Sequence, residues 1–268
     1  MLDTVARDGL VLLGCGKMGT ALLTGWLAAG VPAASVWVIE PNPTDWLKAS
    51  GVHLNKGVPP SPAVALLAVK PQMMGAALPA LQALGNGTTL FISIAAGTSI
   101  ATFEAALGPR TPIVRTMPNT PAMVGRGITG ICANAAGQSG LALARALMLA
   151  VGEVVELDGE HQIDAVTAIS GSGPAYVFHL IEAMAAAGVA EGLSPEVAMK
   201  LARSTVCGSG ELAYRSPEPA AQLRINVTSP GGTTAAALAH LMDPVTGLPP
   251  LMARAAHAAA ERGRELGK

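Results

Sequence analysis

The sequence predicts an α/β domain built on a mostly parallel sheet, followed by an all-α domain. Three observations predict it. The first 158 residues alternate short apolar runs with helical stretches, Ala-rich helical segments take over after Asp158, and a G-x-G-x-x-G loop joins the first apolar run to the first helix.

Taken in order, Leu10 to Leu13, Val36 to Ile39, Val64 to Val69, Thr89 to Ile94 and Ile113 to Arg115 read as strands. Each is short, apolar and bounded by Gly, Pro, Asn or Ser. Strands that alternate with crossover helices pair in parallel and are covered on both faces. Ile128 to Cys132 and Val154 to Leu157 flank a helix from about Gln138 to Ala150 and extend the sheet, in a direction that the pattern leaves open. The helical part follows as Asp164 to Val166, Pro174 to Val189, Pro195 to Tyr214, Pro217 to Leu223, Thr234 to Met242 and Pro249 to Glu265. Ser194-Pro195 and Ser216-Pro217 mark helix starts, because Ser caps and Pro fits the first turn. The domains are therefore placed at 1–158 and 159–268. Pro174 to Val189 is apolar nearly all round, so it has to be buried on several sides, as in an intersubunit bundle.

At 268 residues the chain is long enough for two domains. With 50% hydrophobic, 13% charged and 3% aromatic residues, it builds its core from Ala, Leu and Val, and so little surface charge points to buried oligomer interfaces. Mean hydropathy of +0.44 agrees. Apolar stretches such as Ile181 to Leu193 are cut by Glu182 and Glu191 and fall short of the roughly 20 residues of a membrane span. The N-terminal apolar run passes straight into glycines, which is not a secretory layout. A net charge of −1 with no basic run gives no reason to expect nucleic acid, so the expected partner is a small molecule. Cys15, Cys132 and Cys207 have no disulfide or metal spacing, as expected for the reducing cytoplasm.

Gly14-Cys15-Gly16-Lys17-Met18-Gly19 sits where the motif acquires meaning, after a strand and at the start of a helix. Gly14 makes the tight turn, Gly16 lets main chain approach a pyrophosphate, and Gly19 lets helix and strand pack closely. This predicts a Rossmann-like, dinucleotide-binding first domain. Glu40 follows at the end of the second strand, placed to accept from both hydroxyls of an unmodified ribose and to repel a 2′-phosphate. That leans toward NADH, but Pro41 leaves open that Asn42 or Asn55 takes the ribose instead. Val69-Lys70-Pro71-Gln72, Ala95-Ala96-Gly97 and Met117-Pro118-Asn119-Thr120 fall at later strand ends and should border the same crevice. Lys70 reads equally well as a ribose or phosphate contact and as a solvated charge.

A second anion site is expected near the other end of the chain. Asn226-Val227-Thr228-Ser229-Pro230-Gly231-Gly232-Thr233-Thr234 leads into a helix, whose first N–H groups lack partners and carry the positive end of the helix dipole. The usual catalytic side chains are missing. No His-Asp-Ser order stands out, the five histidines have no metal-ligand spacing, and no metal is expected. That shortage suits hydride transfer to an imine, which is electrophilic once protonated; a ketone would demand a Lys, His or Tyr donor.

The chain resembles the pyrroline-5-carboxylate reductase family over nearly its whole length. The likeness is carried by Gly14 to Gly19, Ala68-Val69-Lys70-Pro71-Gln72, Arg115-Thr116-Met117-Pro118-Asn119-Thr120-Pro121, Ser170-Gly171-Ser172-Gly173-Pro174-Ala175-Tyr176 and Val227 to Thr234. The resemblance implies reduction of 1-pyrroline-5-carboxylate to L-proline by NADPH or NADH, the last step of proline biosynthesis. It also implies a C-terminal helical domain that intertwines in homodimers, often assembled into decamers. Within it, Gly231, Gly232, Thr233 and Thr234, flanked by Val227 and Ser229, look like the loop that holds the substrate carboxylate. Thr234 resembles the hydrogen-bonding partner of the ring nitrogen, and Ala68, Lys70, Pro71, Ala95 and Asn119 would line the cofactor. Glu40-Pro41 departs from the more NADPH-friendly strand end frequent in the family, and Met242 stands where a polar residue usually follows.

Two alternatives remain. A β-hydroxyacid or phosphogluconate-type dehydrogenase needs a lysine on the long interdomain helix, and Ser170 to Val189 has none. A non-catalytic dinucleotide sensor has no use for a second anion-binding helix start.

Overall fold

Leu10, Leu12, Val36, Val38, Val64 and Leu66 bury on one face of a sheet, and Val11, Leu13, Ala65 and Leu67 on the other, because successive strand side chains point to opposite faces. The computed structural model, which describes residues 2–267, thus has a core on each side of that sheet. Eight strands form it: β1 (Leu10–Leu13), β2 (Val36–Ile39), β3 (His53–Leu54), β4 (Val64–Leu67), β5 (Leu90–Ser93), β6 (Ile113–Met117), β7 (Gly127–Ala133) and β8 (Gly152–Glu156). Their spatial order is β3-β2-β1-β4-β5-β6-β7-β8. Neighbours through β6 run parallel, β7 runs antiparallel to β6, and β8 runs parallel to β7. The central strands β1, β4, β5 and β6 are buried along their whole length, as a doubly covered parallel sheet requires.

In chain order the helices of this part are α1 (Leu2–Asp8), α2 (Lys17–Ala28), α3 (Asp45–Ala49), α4 (Met74–Ala77), α5 (Ile100–Leu107), α6 (Leu141–Leu149) and α7 (Ile163–Val166). Leu22, Leu23 and Trp26 of α2 and Leu147 of α6 fill one core, and Trp26 Nε1 donates to the Leu147 carbonyl at 2.9 Å. Phe103 of α5 and Met74 of α4 fill the other.

The helical part comprises α8 (Gly173–Ala190), α9 (Pro195–Arg215), α10 (Ala220–Asn226), α11 (Thr233–Leu241) and α12 (Leu248–Leu266). Ala185, Ala198 and Ala202 join α8 to α9 with Ile181 packed alongside, and a Cβ on Gly188 would sit 3.2 Å from that of Ala198. Ser194 caps α9 as expected, its Oγ accepting from the Val197 N–H at 3.3 Å. Ser216 does not cap a following helix. It ends α9, accepts from the Glu218 N–H at 3.1 Å, and α10 starts only at Ala220.

The chain divides into two compact units. One runs through Gly171 and takes in the chain again from Ala259, and the other is Ser172–Ala258. The sheet unit extends past Asp158 because buried Ile163 of α7 packs on Met117 and Cys132. A π-helical turn, Thr167–Gly171, then leads to α8. The resulting helical run Glu160–Ala190 is long and apolar enough, by length and composition, to cross a membrane. The reading of separate, shorter stretches missed this because that turn fuses them.

Candidate functional site

β1, β2, β4, β5 and β6 are all parallel, so the residues that follow them come to one edge of the sheet. There lie Gly14 after β1, Glu40 after β2, Ala68 to Pro71 after β4, Ala95 after β5 and Asn119 after β6. That edge, beyond the carboxyl ends of the strands, is where open α/β sheets bind ligands.

The glycine loop is tied down on both sides. Gly14 donates its N–H to the Ile39 carbonyl at 2.9 Å, and Ala68 donates to the Leu13 carbonyl at 2.8 Å. Gly14 has a φ of 88°, and a Cβ there would lie 2.9 Å from the Val69 nitrogen, so turn and neighbour both demand glycine. A Cβ on Gly19 would lie 2.8 Å from the Gly14 carbonyl oxygen. Gly16 differs: nothing stands within 4 Å of where its Cβ would be. It is the N-cap of α2, and no side chain caps that helix. Open space over uncapped helix N–H groups fits a dinucleotide pyrophosphate. Lys17 and Met18 form the first turn beside it.

Glu40 is locked in place. Its Oε2 accepts from the Cys15 N–H at 2.8 Å, and its Oε1 accepts from the Asn42 N–H at 2.9 Å. Asn55, at a left-handed φ of 52°, grips the Glu40 main chain: Oδ1 accepts from its N–H and Nδ2 donates to its carbonyl, both at 2.9 Å. Asn42 thus meets Glu40 through its backbone and Asn55 through its side chain. The Cys15 thiol pKa is raised by burial, partly offset by its contact with Thr20, and raised further by the Glu40 charge.

The later strand ends are braced from beneath. Ala95 is buried and donates its N–H to Ser93 Oγ at 3.2 Å, while Thr116 Oγ1 donates to the Ser93 carbonyl at 3.0 Å. The buried Asn119 accepts the Ile128 N–H on Oδ1 at 2.9 Å, which fixes the start of β7. Lys70 and Pro71 are exposed where a 3₁₀ turn, Pro71–Met73, begins. Sequence reading placed Arg115 at a strand end and in a motif without giving it a role, and did not single out Glu160. Arg115 is 6% exposed and pairs with Glu160 at 2.6 Å, and the same carboxylate oxygen accepts the Ile100 N–H at the start of α5 at 2.7 Å. An arginine inside an apolar strand was the available signal; its partner lies 45 residues away.

The helix start expected to cradle a second anion belongs to the other unit. Gly232 is the N-cap of α11, no side chain caps it, and Thr233 and Thr234 form the first turn. Gly231 has a φ of 69° and open space at its Cβ position, and Gly232 donates its N–H to the Ser229 carbonyl at 3.0 Å. Thr228 Oγ1 donates to the Arg224 carbonyl and stabilises the end of α10, while Val227 is exposed. Among the described residues no group of three or more His, Cys, Asp or Glu is placed to hold a metal.

Residues 160–266 match the family model described as pyrroline-5-carboxylate reductase dimerisation, and residues 10–97 match that described as NADP oxidoreductase, coenzyme F420-dependent. A pyrroline-5-carboxylate reductase from Pseudomonas aeruginosa is 41% identical over 264 residues, covering 96% of each chain. The chain belongs to the pyrroline-5-carboxylate reductase family. A Methanosarcina acetivorans reductase of this name is 37% identical over 96% of this chain and 97% of its own. Among solved structures, a pyrroline-5-carboxylate reductase from Coxiella burnetii superposes with a TM-score of 0.90 at 35% identity, covering 97% of this chain and 99% of that one. A Plasmodium falciparum pyrroline carboxylate reductase with NADP bound superposes at 0.83 and 30% identity, covering 98% and 99%. As a member of this family the chain is an NAD(P)H-dependent oxidoreductase with the mostly parallel sheet and helical dimerisation domain of its relatives. The apolar run Glu160–Ala190 falls at the start of the stretch that matches the dimerisation model.

Proposed function

We propose that this chain reduces the C=N bond of 1-pyrroline-5-carboxylate to give L-proline, with NADPH or NADH as donor. The observation that carries the reading is the uncapped start of α11, an anion cradle with two threonines on its first turn and no acid or base side chain built into it. A bound dinucleotide would supply the hydride for the imine carbon, and the ring nitrogen, protonated from water beforehand, would become a secondary amine.

The protein's own residues bind and orient. The loop Gly231, Gly232, Thr233 and Thr234 holds the substrate carboxylate through the N–H groups of Gly231, Thr233 and Thr234, while the Gly232 N–H, with Val227 and Ser229, closes the turn that presents them. The Thr234 hydroxyl hydrogen-bonds to the ring nitrogen and fixes which face of the imine receives the hydride. Gly14, Gly16, Lys17, Met18 and Gly19 receive the pyrophosphate; Glu40 and Asn42, held by Asn55, receive the adenosine ribose. Ala68, Val69, Lys70, Pro71, Ala95 and Asn119 line the rest of the dinucleotide. The enzyme works in the cytoplasm as a homodimer made through the helical domain, with dimers gathered into decamers as the family resemblance implies.

Purified protein should oxidise NADPH or NADH only when pyrroline-5-carboxylate is present, with proline appearing in step. Absence of proline with both donors would overturn the assignment. Thr234→Ala should lower kcat roughly 100-fold while dinucleotide binding, read by titration, stays unchanged. Unaltered kinetics would remove Thr234 from the mechanism.

A further inference from the structure

We propose that Glu40 selects a dinucleotide whose adenosine ribose carries a free 2′-hydroxyl, making NADH the preferred donor, and that Asn55 is the positioning residue that holds Glu40 in place. This deepens the reductase reading by naming which dinucleotide its first domain takes.

The argument starts at the end of β2. In this topology the residue just past β2 borders the adenosine ribose, because the glycine loop between β1 and α2 sets the pyrophosphate beside it. A carboxylate there accepts from the 2′- and 3′-hydroxyls, whereas a 2′-phosphate would bring about −1.5 to −2 charges against it. A mobile glutamate would simply swing away. Glu40 is not free to do so: one carboxylate oxygen accepts from the Cys15 N–H at 2.8 Å and the other from the Asn42 N–H at 2.9 Å. Turning outward would leave both N–H groups without their acceptor. Each oxygen still has a lone pair for a ribose hydroxyl.

The main chain is held as firmly. Asn55 donates its own N–H to the Val38 carbonyl at 2.8 Å, and its side-chain amide spans the N–H and carbonyl of Glu40. Its φ of 52° is one that asparagine tolerates better than most residues. The bond to Cys15 ties Glu40 into the glycine loop, so ribose and pyrophosphate sites form one rigid unit.

Compensating cations are scarce. No arginine occurs between Glu40 and Ser50, and Lys48 pairs with Asp45 at 2.9 Å. Lys56 follows directly on Asn55, whose side-chain amide grips the Glu40 main chain. Lys56 is therefore the cation to test as a phosphate partner. The proposal sets this chain apart from the Plasmodium falciparum relative solved with NADP.

The test is a calorimetric titration of NAD⁺ and NADP⁺ into the whole protein without imine, alongside kcat/KM for NADH and NADPH. Wild type should bind NAD⁺ at least tenfold more tightly than NADP⁺. Glu40→Gln, which keeps the shape and removes the charge, should shrink that ratio at least fivefold, and Glu40→Ser should shrink it further. Asn55→Gly, which tolerates the left-handed backbone but lacks the amide, should loosen NAD⁺ severalfold and narrow the ratio. NADP⁺ binding as tightly as NAD⁺ in wild type, abolished in Lys56→Gln, would overturn the proposal. So would a ratio indifferent to Glu40→Gln. An Asn55→Gly protein with both affinities unchanged would overturn the positioning role. No substrate enters the titration, so its failure leaves imine reduction standing, and failure to make proline leaves the dinucleotide preference standing.

Discussion

Gly14, Gly16 and Gly19 are glycines for different reasons, and substitution separates them. At Gly14 a side chain meets both a left-handed backbone and the Val69 nitrogen, so Gly14→Ala should lower the melting temperature by several degrees. At Gly16 the space is empty and φ is −70°, so Gly16→Ala should fold with an unaltered melting temperature yet bind dinucleotide at least tenfold more weakly. Equal loss of folding in both would show that Gly16 is structural. A second residue-scale expectation concerns Cys132, whose thiol burial pushes up from 9.0 to about 11, with the Glu160 charge adding to the rise. The unfolded thiol ionises first as pH rises, so the stability it contributes is complete below about pH 9 and is lost as pH climbs through about 11. Urea midpoints measured from pH 8.5 to 11 should fall less steeply in Cys132→Ala than in wild type.

At the scale of elements, the Arg115–Glu160 pair joins β6 to α5 and to the turn that follows β8. Its arginine is almost wholly enclosed, while Glu160 is 31% exposed. Removing the partner of an enclosed charge costs more than the pair contributes, and Glu160→Gln should destabilise the fold by about 3 kcal/mol. Chemical denaturation checks it, and a loss under 1 kcal/mol would mean that water replaces the carboxylate. The same elements show what sequence makes legible. β1 and the glycine loop could be read because an apolar run ends abruptly in glycines. β3 has two residues and no pattern to display, and α1 precedes the first glycine without a cap signal. The antiparallel run of β7 was unreadable because alternation of side chains is the same in either direction. The Arg115–Glu160 bond needs the fold itself to bring its partners together. The sequence offers Asn55 as an alternative ribose contact, but its grip on the Glu40 main chain was not legible, since that depends on the pairing of β2 with β3.

At the scale of the whole molecule, α8 is the element that one copy of the chain does not satisfy. Of its 18 residues Ala185 alone is buried, while Phe178, Val177, Leu180 and Met184 stand exposed. Such a helix in water calls for a partner surface, and it lies within the dimerisation domain of the family. Phe178→Glu should give a folded protein of lower mass by sedimentation, with circular dichroism unchanged. An oligomer that survives this change would place the interface on other helices.

The last helix adds a consequence for the order of events during synthesis. α12 starts among the helices of one unit, yet from Ala259 onward it belongs with the sheet: a Cβ on Gly97 would lie 3.1 Å from the Leu266 carbonyl oxygen, and one on Gly263 would lie 3.0 Å from the Asp164 carboxylate. The ribosome makes every strand first, then the whole helical unit, and only afterwards the segment that packs on Gly97. The sheet unit therefore waits, with the loop after β5 uncovered, until the dimerising helices have emerged, which links completion of the dinucleotide-binding half to the arrival of the half that recruits a second copy.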